Sequence, residues 1–466
     1  MSARVRSIGA VMAALLVSCF AFQLNASMLS PALVLMENEL NTDSATIGLS
    51  QTAFFTAAAL FSLFLPRLGD MIGRRRLLTG MMAVTAVGCV LSALAGATDS
   101  VTLLFIGRIV QGVAGPTVPV CLIMLHVAVP DPKRYGTLMG VITAVNGGIA
   151  GLDALAGGFL AQHFGFASVF WTMAVIAVLA AVGVFTLTDE SQVESPEPMD
   201  WPGVLLLVIA VGAALIAVNE AGKLGQANWL LVIILLMVTA VAFWGFWRRE
   251  SGTAHPLVTT DYLKSRATWA LLLTTLLTMT GVFAVMNGIV PALAQDTTLW
   301  KGMNADVVSF FTLTPYAIAG LLMGPIAGAL AGRRGYRTIL RVGLSGTVIT
   351  LVLIMVITPH PNQWTLLAVS ILAGVFYAGM SNIMLNGLGI VLSPSDNPGY
   401  LPGLNAGAFN LGAGVSFAIL YAVKTALGTG TGSYIGSVVA GAILVALALA
   451  SSLLIPKPQQ TVEAAQ

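Results

Sequence analysis

The sequence predicts an all-helical membrane protein that crosses the bilayer many times. Three observations carry that prediction. Fourteen apolar stretches, most of them near the roughly 20 residues that cross a hydrocarbon core, fill the 466-residue chain and leave at most 19 residues between neighbours. Hydrophobic residues make up 57% of the chain and charged residues 9%, against about 25% charged in a soluble domain. The basic residues then gather on one side of the span pattern. Inside a bilayer every backbone polar group must find a partner within the protein, and a helix pairs them locally.

The spans are expected at 8–36, 45–65, 77–96, 101–128, 135–162 and 167–187, then 202–220 and 228–248, then 268–292, 306–331, 338–358, 364–392, 400–424 and 433–454. The first follows Arg4 and Arg6, as the apolar core of a signal peptide would. Its run is too long for that and merges into a polytopic pattern. The second ends in a loop rich in arginine, and the fourth and fifth carry Arg108 and Asp153 inside apolar sequence. The sixth stops before an acidic stretch, 188–201, with Pro196 and Pro198, which reads as a flexible linker. The seventh and eighth, over 202–248, hold few polar residues apart from Glu220 and read as an inserted, lipid-facing pair. A second linker, 249–267, leads to the last six spans. The expected organisation is a six-helix bundle at 1–187, a linker with the inserted pair at 188–267, and a second six-helix bundle with a short tail at 268–466.

Charge sets the orientation. With both termini in the cytoplasm, 17 of the 21 Lys and Arg residues fall on the cytoplasmic side; Lys223, Lys301 and Lys424 fall near the outer face and Arg108 lies within a span. Enrichment of cytoplasmic loops in Lys and Arg is what orients such chains. The net charge of +2 therefore reports orientation and gives no sign of nucleic-acid binding. Cys19, Cys89 and Cys121 all lie in spans. An odd set of embedded thiols makes neither a disulfide framework nor a zinc site. No metal or cofactor is expected. A phosphate-binding G-x-x-x-x-G-K-[ST] loop is missing from the sequence, which argues against ATP-driven pumping. No nucleophile–base set suggests an enzyme, and no output domain suggests a receptor.

Two loops repeat. PRLGDMIGRRR at 66–76 and GALAGRRGYR at 328–337 align at an offset of 262 residues, matching Leu68 with Leu330, Asp70 with Gly332 and Gly73 with Gly335. Repeats of this kind mark carriers built from two related halves. Asp70, Gly73, Arg74 and Arg75 are expected to form a gating loop. Its carboxylate would meet either the partner bundle's helix end or an arginine. The plain alternative is an ordinary basic loop.

Arg108 is the most diagnostic residue. A charge in the bilayer interior costs about 2.5–3.5 kcal/mol on insertion scales, so it needs an interior position and partners. Gln111 shares its helix face. Asp153, seven residues after Asn146, is the expected counter-charge, because the two lie about 10 and 14 Å below the same membrane face at 1.5 Å per residue. Gln23 and Asn25 fall in the same layer. Asp153 would exchange a proton with Arg108 setting its affinity, or the two would form a fixed structural pair; the sequence leaves both open.

LGDMIGRRR (Leu68–Arg76), RIVQG (Arg108–Gly112) and MDWPGVLLL (Met199–Leu207) together resemble the major facilitator superfamily, in particular its fourteen-span drug:proton antiporters. The resemblance covers nearly the whole chain. It implies two bundles rocking about a midplane cavity faced by the ninth, tenth, twelfth and thirteenth spans. Those spans offer Asn287, Tyr316, Tyr377, Asn382, Asn386, Asn405 and Asn410 as a neutral, hydrogen-bonding site; each taken alone also fits interhelical glue. Two departures matter. Asn25 stands where drug exporters commonly carry an acid, and Asp153–Ala154 precedes Gly157–Gly158 where they carry Gly-Pro. The expected function is proton-coupled transport of a small organic solute by a monomer, weighted toward uptake of a nucleoside or sugar. Drug or metabolite efflux is the alternative.

Overall fold

The computed structural model describes residues 7–129, 150–190, 199–222, 227–253, 260–393 and 400–457, with 131, 134, 138, 139, 141, 142 and 256 besides. Among them the fold is all-helical, with no strand. Six helices come first: α1 (Ile8–Glu39), α2 (Ser44–Ile72), α3 (Arg74–Thr98), α4 (Val101–Ala128), α5 (Ala150–Phe164) and α6 (Phe166–Leu187). The pair α7 (Trp201–Gly222) and α8 (Trp229–Glu250) follows. Then come α9 (Arg266–Gln295), α10 (Ala305–Arg334), α11 (Tyr336–Ile357), α12 (Gln363–Val391), α13 (Tyr400–Ala426) and α14 (Thr431–Ser451). Thirteen of these are long and apolar enough to cross a membrane. The described part of α5 has 15 residues, and 143–149 lie outside the described residues.

Local chemistry explains several boundaries. Asp43, Ser100 and Ser265 accept from backbone N–H groups three residues on, which satisfies orphan donors at the starts of α2, α4 and α9. Asn362 and Thr365 cap each other before α12. The two copies of the repeat end alike: Gly73 at φ 98° joins α2 to α3, and Gly335 at φ 86° joins α10 to α11. Such backbone favours glycine. The copies differ in surroundings. A Cβ at Gly73 would collide with the Glu190 carboxylate, whereas at Gly335 nothing lies within 4 Å. Gly73→Ala should therefore lower the thermal unfolding midpoint clearly more than Gly335→Ala, both carrying about 1–3 kcal/mol of backbone strain. Equal drops in a detergent melt would mean that Glu190 moves aside without cost.

The helices pack as two groups. In the first, α6 lies against α1 and α3, and α4 against α2 and α3; in the second, α9 lies against α13 and α14, and α12 against α10 and α11. The groups meet along two seams, α2 with α13 and α5 with α10. Small residues allow the close approach. Gly414 sits against Thr52 and Phe55, and Gly151 against Ala317 and Thr314. Gly158 abuts Ala305 and Ala154 accepts from Ser309.

The inserted pair is not wholly lipid-facing. Only 17% of the α8 span is buried, against 67% of α9, and α8 leans on α7. But α7 lies against both α2 and α13, and Trp201 packs its ring 6.4 Å from Phe64. The pair thus reaches the seam between the groups. Hydropathy alone does not distinguish a helix in lipid from one against apolar protein.

Candidate functional site

Arg108 is completely buried. Its guanidinium joins three helices. Nη1 donates to Gln111 Oε1 (2.7 Å) and to the Asn25 carbonyl (3.3 Å), and Nη2 donates to Gln51 Oε1 (2.8 Å) and the same carbonyl (3.3 Å). The Phe54 ring lies 4.3 Å from Cζ, a distance at which its π face attracts the cation. Gln111 Nε2 in turn donates to the Gly88 carbonyl (2.9 Å) and to Ser92 Oγ (2.8 Å). Asn25 Nδ2 donates to the Ala21 carbonyl (2.8 Å), and its Oδ1 faces the Cys89 thiol. Gln51 lies outside the residues the sequence points to; its one local signal is an amide inside the apolar run of α2.

Asp153 does not pair with Arg108. Its Oδ2 accepts from the Ser27 hydroxyl, and its Oδ1 is buried with no hydrogen-bond partner. Ser27 also receives Gln23 Nε2 (2.9 Å). The expected ion pair is therefore corrected to two separate clusters. The reason lies in α1. Asn25 meets α3 and α4, while Ser27, two residues on, meets α5. Residues two apart project to different sides of a helix. Equal depth brought the two charges to one layer but not to one face. Asn146 lies outside the described residues.

Asp153 stands at the seam with α10. Neighbouring carbonyls in α5 are bonded from across it, Gly151 by Thr314 (2.7 Å) and Ala154 by Ser309 (3.1 Å). Two residues beyond Thr314, Tyr316 stacks on Tyr377 of α12, rings 6.2 Å apart and 11° from parallel. Tyr377 donates to Met279 Sδ (2.9 Å). Asn386 Nδ2 bonds Asn382 Oδ1 (2.8 Å). The pair lies on α12 between the residues that meet α10 (Gly379 beside Met323) and those that meet α13 (Leu385 bonded by Asn405). Asn287 in α9 is buried and bonds the Phe283 carbonyl (3.0 Å).

Two segments of this second group are π-helical, Val285–Ile289 in α9 and Gly374–Asn382 in α12. They contain Asn287, Tyr377 and Asn382. A widened turn is frequent at functional sites, and the hydropathy pattern gives no sign of it. In α12, Gly374 and Gly379 let that segment press on α10. Asn405 is taken up by Thr275 (2.7 Å) and the Leu385 carbonyl, as glue would be.

At the repeat loop, Asp70 bonds Arg74 through Nη2 (2.7 Å) and Nε (3.0 Å). Of the two partners the sequence offered, the structure shows the arginine. The backbone N–H of Arg75 donates to Glu190 (3.0 Å), and the side chains of Arg75 and Arg76 lie 3.6 and 3.7 Å from it. In the sequence Glu190 belongs to the acidic linker, and its charge opposite three arginines is the signal for this contact. A link toward the second group comes from Arg67, which donates to the Pro256 carbonyl (2.6 Å).

The opposite end is sealed. Phe55, Phe283 and Phe417 from α2, α9 and α13 meet with centroids 5.1–6.4 Å apart. Nearer that end, Thr52 bonds the Gly414 carbonyl (2.9 Å) and Lys424 bonds Ser44 (3.4 Å). Lys424 lies 5.0 Å from the Tyr434 ring, and Tyr434 donates to Asp296 (2.9 Å). Burial pushes the Asp296 carboxyl up, but hydrogen bonds from Thr298 and Tyr434 outweigh it and hold the group below its usual range.

The arrangement is two helix groups packed together at one end, with a buried acid at the α5–α10 seam, tyrosines stacked between α10 and α12, and a paired amide on α12. Residues 15–417 and 272–463 match the model of a family described as Major Facilitator Superfamily. The chain is 58% identical over 424 residues, 90% of its length and 88% of the relative's, to the uridine/deoxyuridine transporter of Lactococcus lactis subsp. cremoris. It is 25% identical over 365 residues, 78% of its length and 66% of the relative's, to multidrug resistance protein Stp of Mycobacterium tuberculosis. Among solved structures, a variant of the nucleoside transporter NupG is similar with a TM-score of 0.65 at 13% identity, covering 96% of this chain and 100% of that one. A D-xylose-proton symporter is similar with a TM-score of 0.67 at 13% identity, covering 97% and 99%. At that identity the two structures speak for the fold.

Proposed function

This chain belongs to the major facilitator superfamily, and from that premise we propose that it is a proton-coupled carrier that takes up pyrimidine nucleosides of the uridine kind. The observation that carries the substrate class is the 58% identity, over nearly the full length of both chains, to a uridine/deoxyuridine transporter. The site chemistry agrees with it. A nucleoside is neutral, flat on its base and rich in donors and acceptors. Tyr316 and Tyr377 offer aromatic faces, and Asn287, Asn382 and Asn386 offer amides. On the other side, Gln23 reaches the seam through Ser27, while Asn25 and Gln111 hold Arg108 in place.

In this reading the fourteen spans form bundles at 1–187 and 268–466, joined through the inserted pair at 188–267. Both termini lie in the cytoplasm of a monomer, so the end closed by Phe55, Phe283 and Phe417 faces outward. Asp153 carries the proton and Arg108 is a positioning residue. The Asp70–Arg74 loop with Gly73 and Arg75 forms and re-forms as the bundles rock. Substrate and proton each favour one access state, which is what couples them.

Labelled uridine in right-side-out vesicles with an imposed pH gradient, acidic outside, tests the reading. Accumulation should follow the gradient, collapse with a protonophore, and be competed by deoxyuridine but not by xylose. Accumulation of a lipophilic drug cation in inverted vesicles, with no uridine uptake in either orientation, would replace this reading by efflux.

A further inference from the structure

The lipid-facing side of the inserted pair is not a smooth apolar wall. An apolar groove of about 520 Å³ runs between α7 and α8, lined by Leu206 and Ile209 on one side and by Ile234, Met237 and Val241 on the other. It ends at Gly245, and Gly245 also lines a second hollow of about 390 Å³ with Arg248, Arg249, Gly252 and Thr253. An apolar trough thus runs directly into a basic, hydrogen-bonding mouth.

The dimensions fit one leaflet. From Ile234 to Gly245 is 11 residues, about 16 Å at 1.5 Å per residue, and half of a hydrocarbon core is about 15 Å. The arginines therefore lie where a headgroup lies when its acyl chain fills the trough. Their donors are available. Arg248 is exposed and stacks 5.4 Å from the Trp244 ring. Arg249 gives Nε to Asp200 (2.6 Å), and among the described residues its Nη groups have no protein acceptor. Asp200 and Glu250 are buried toward Gly203, and Asp200 takes only the Nε edge of Arg249.

We infer that this groove holds one anionic phospholipid, its acyl chain along α8 and its phosphate on Arg248 and Arg249. Guanidinium groups pair with phosphate oxygens in a bidentate way, and each basic residue near an anionic headgroup strengthens binding about fivefold. The site is separate from the transport path, so its test does not depend on which solute the carrier moves.

Native mass spectrometry of the full-length protein in detergent provides that test, with phosphatidylglycerol and phosphatidylcholine of identical acyl chains as probes. Wild type should retain phosphatidylglycerol up to about twenty-five-fold more tightly, about fivefold for each arginine. Arg248→Gln should cut the preference about fivefold, leaving the share that Arg249 supplies. Val241→Trp, at an exposed position, should lower retention of both by filling the trough. Millimolar inorganic phosphate should displace neither. Equal retention of the two lipids by wild type would reduce the groove to ordinary annular contact and overturn the inference. So would displacement by phosphate alone, or an undiminished preference in Arg248→Gln when both variants melt as wild type does.

Discussion

Asp153→Asn should abolish uphill accumulation and leave exchange of substrate across the membrane in place. A gradient of one pH unit is worth 1.36 kcal/mol per proton, which supports up to about tenfold accumulation. The asparagine variant should equilibrate to a ratio of about one under the same gradient. Preloaded vesicles should still show counterflow, because the amide keeps the shape and can still accept from Ser27. Asp153 is buried at the α5–α10 seam, takes one hydrogen bond from Ser27, has an oxygen without a partner, and faces no bonded cation. A carboxyl so placed can change its protonation without breaking an ion pair. Full accumulation by the variant would remove Asp153 from the coupling step, while loss of counterflow as well would make its role structural.

Arg108→Lys should be nearly as damaging as removal. The guanidinium makes four hydrogen bonds, two to the Asn25 carbonyl and one each to Gln51 and Gln111. It does so while lying against Phe54. Lysine offers one compact nitrogen and no plane to stack. Bonds to a charged group contribute about 1.5–3 kcal/mol each. Losing two of them destabilises the first group of helices by about 3 kcal/mol or more and leaves a glutamine oxygen buried without a donor. The expected readouts are a melting midpoint lowered by several degrees and uridine uptake at least tenfold slower, about 1.4 kcal/mol of barrier. A lysine variant that melts and transports like wild type would show that charge at this depth suffices and the fork does not matter.

The membrane fold was legible because its signals are local. Length and hydropathy placed most helix ends within a few residues of those observed. They also located the seventh and eighth helices, though not the contact of α7 with the α2–α13 seam. The repeat was legible too: Gly73 and Gly335 adopt the same left-handed backbone. The polar residues were legible as a set, since an amide or charge inside an apolar run stands out.

Their partners were not. Arg108 and Asp153 shared a depth, and depth is all that a span-by-span reading measures. The structure sends Arg108 to Gln51, Gln111 and the Asn25 carbonyl, and Asp153 to Ser27. The widened turns around Asn287 and Tyr377 were hidden for a related reason, because one extra residue per turn leaves an apolar run apolar. What the chain alone determined is which segments enter the bilayer and which residues are too polar to face its lipid, since each follows from transfer of a short stretch out of water. What only tertiary structure decided is which of those polar residues meet, because that depends on how each helix is rotated about its own axis, and rotation is set by neighbours far away in sequence.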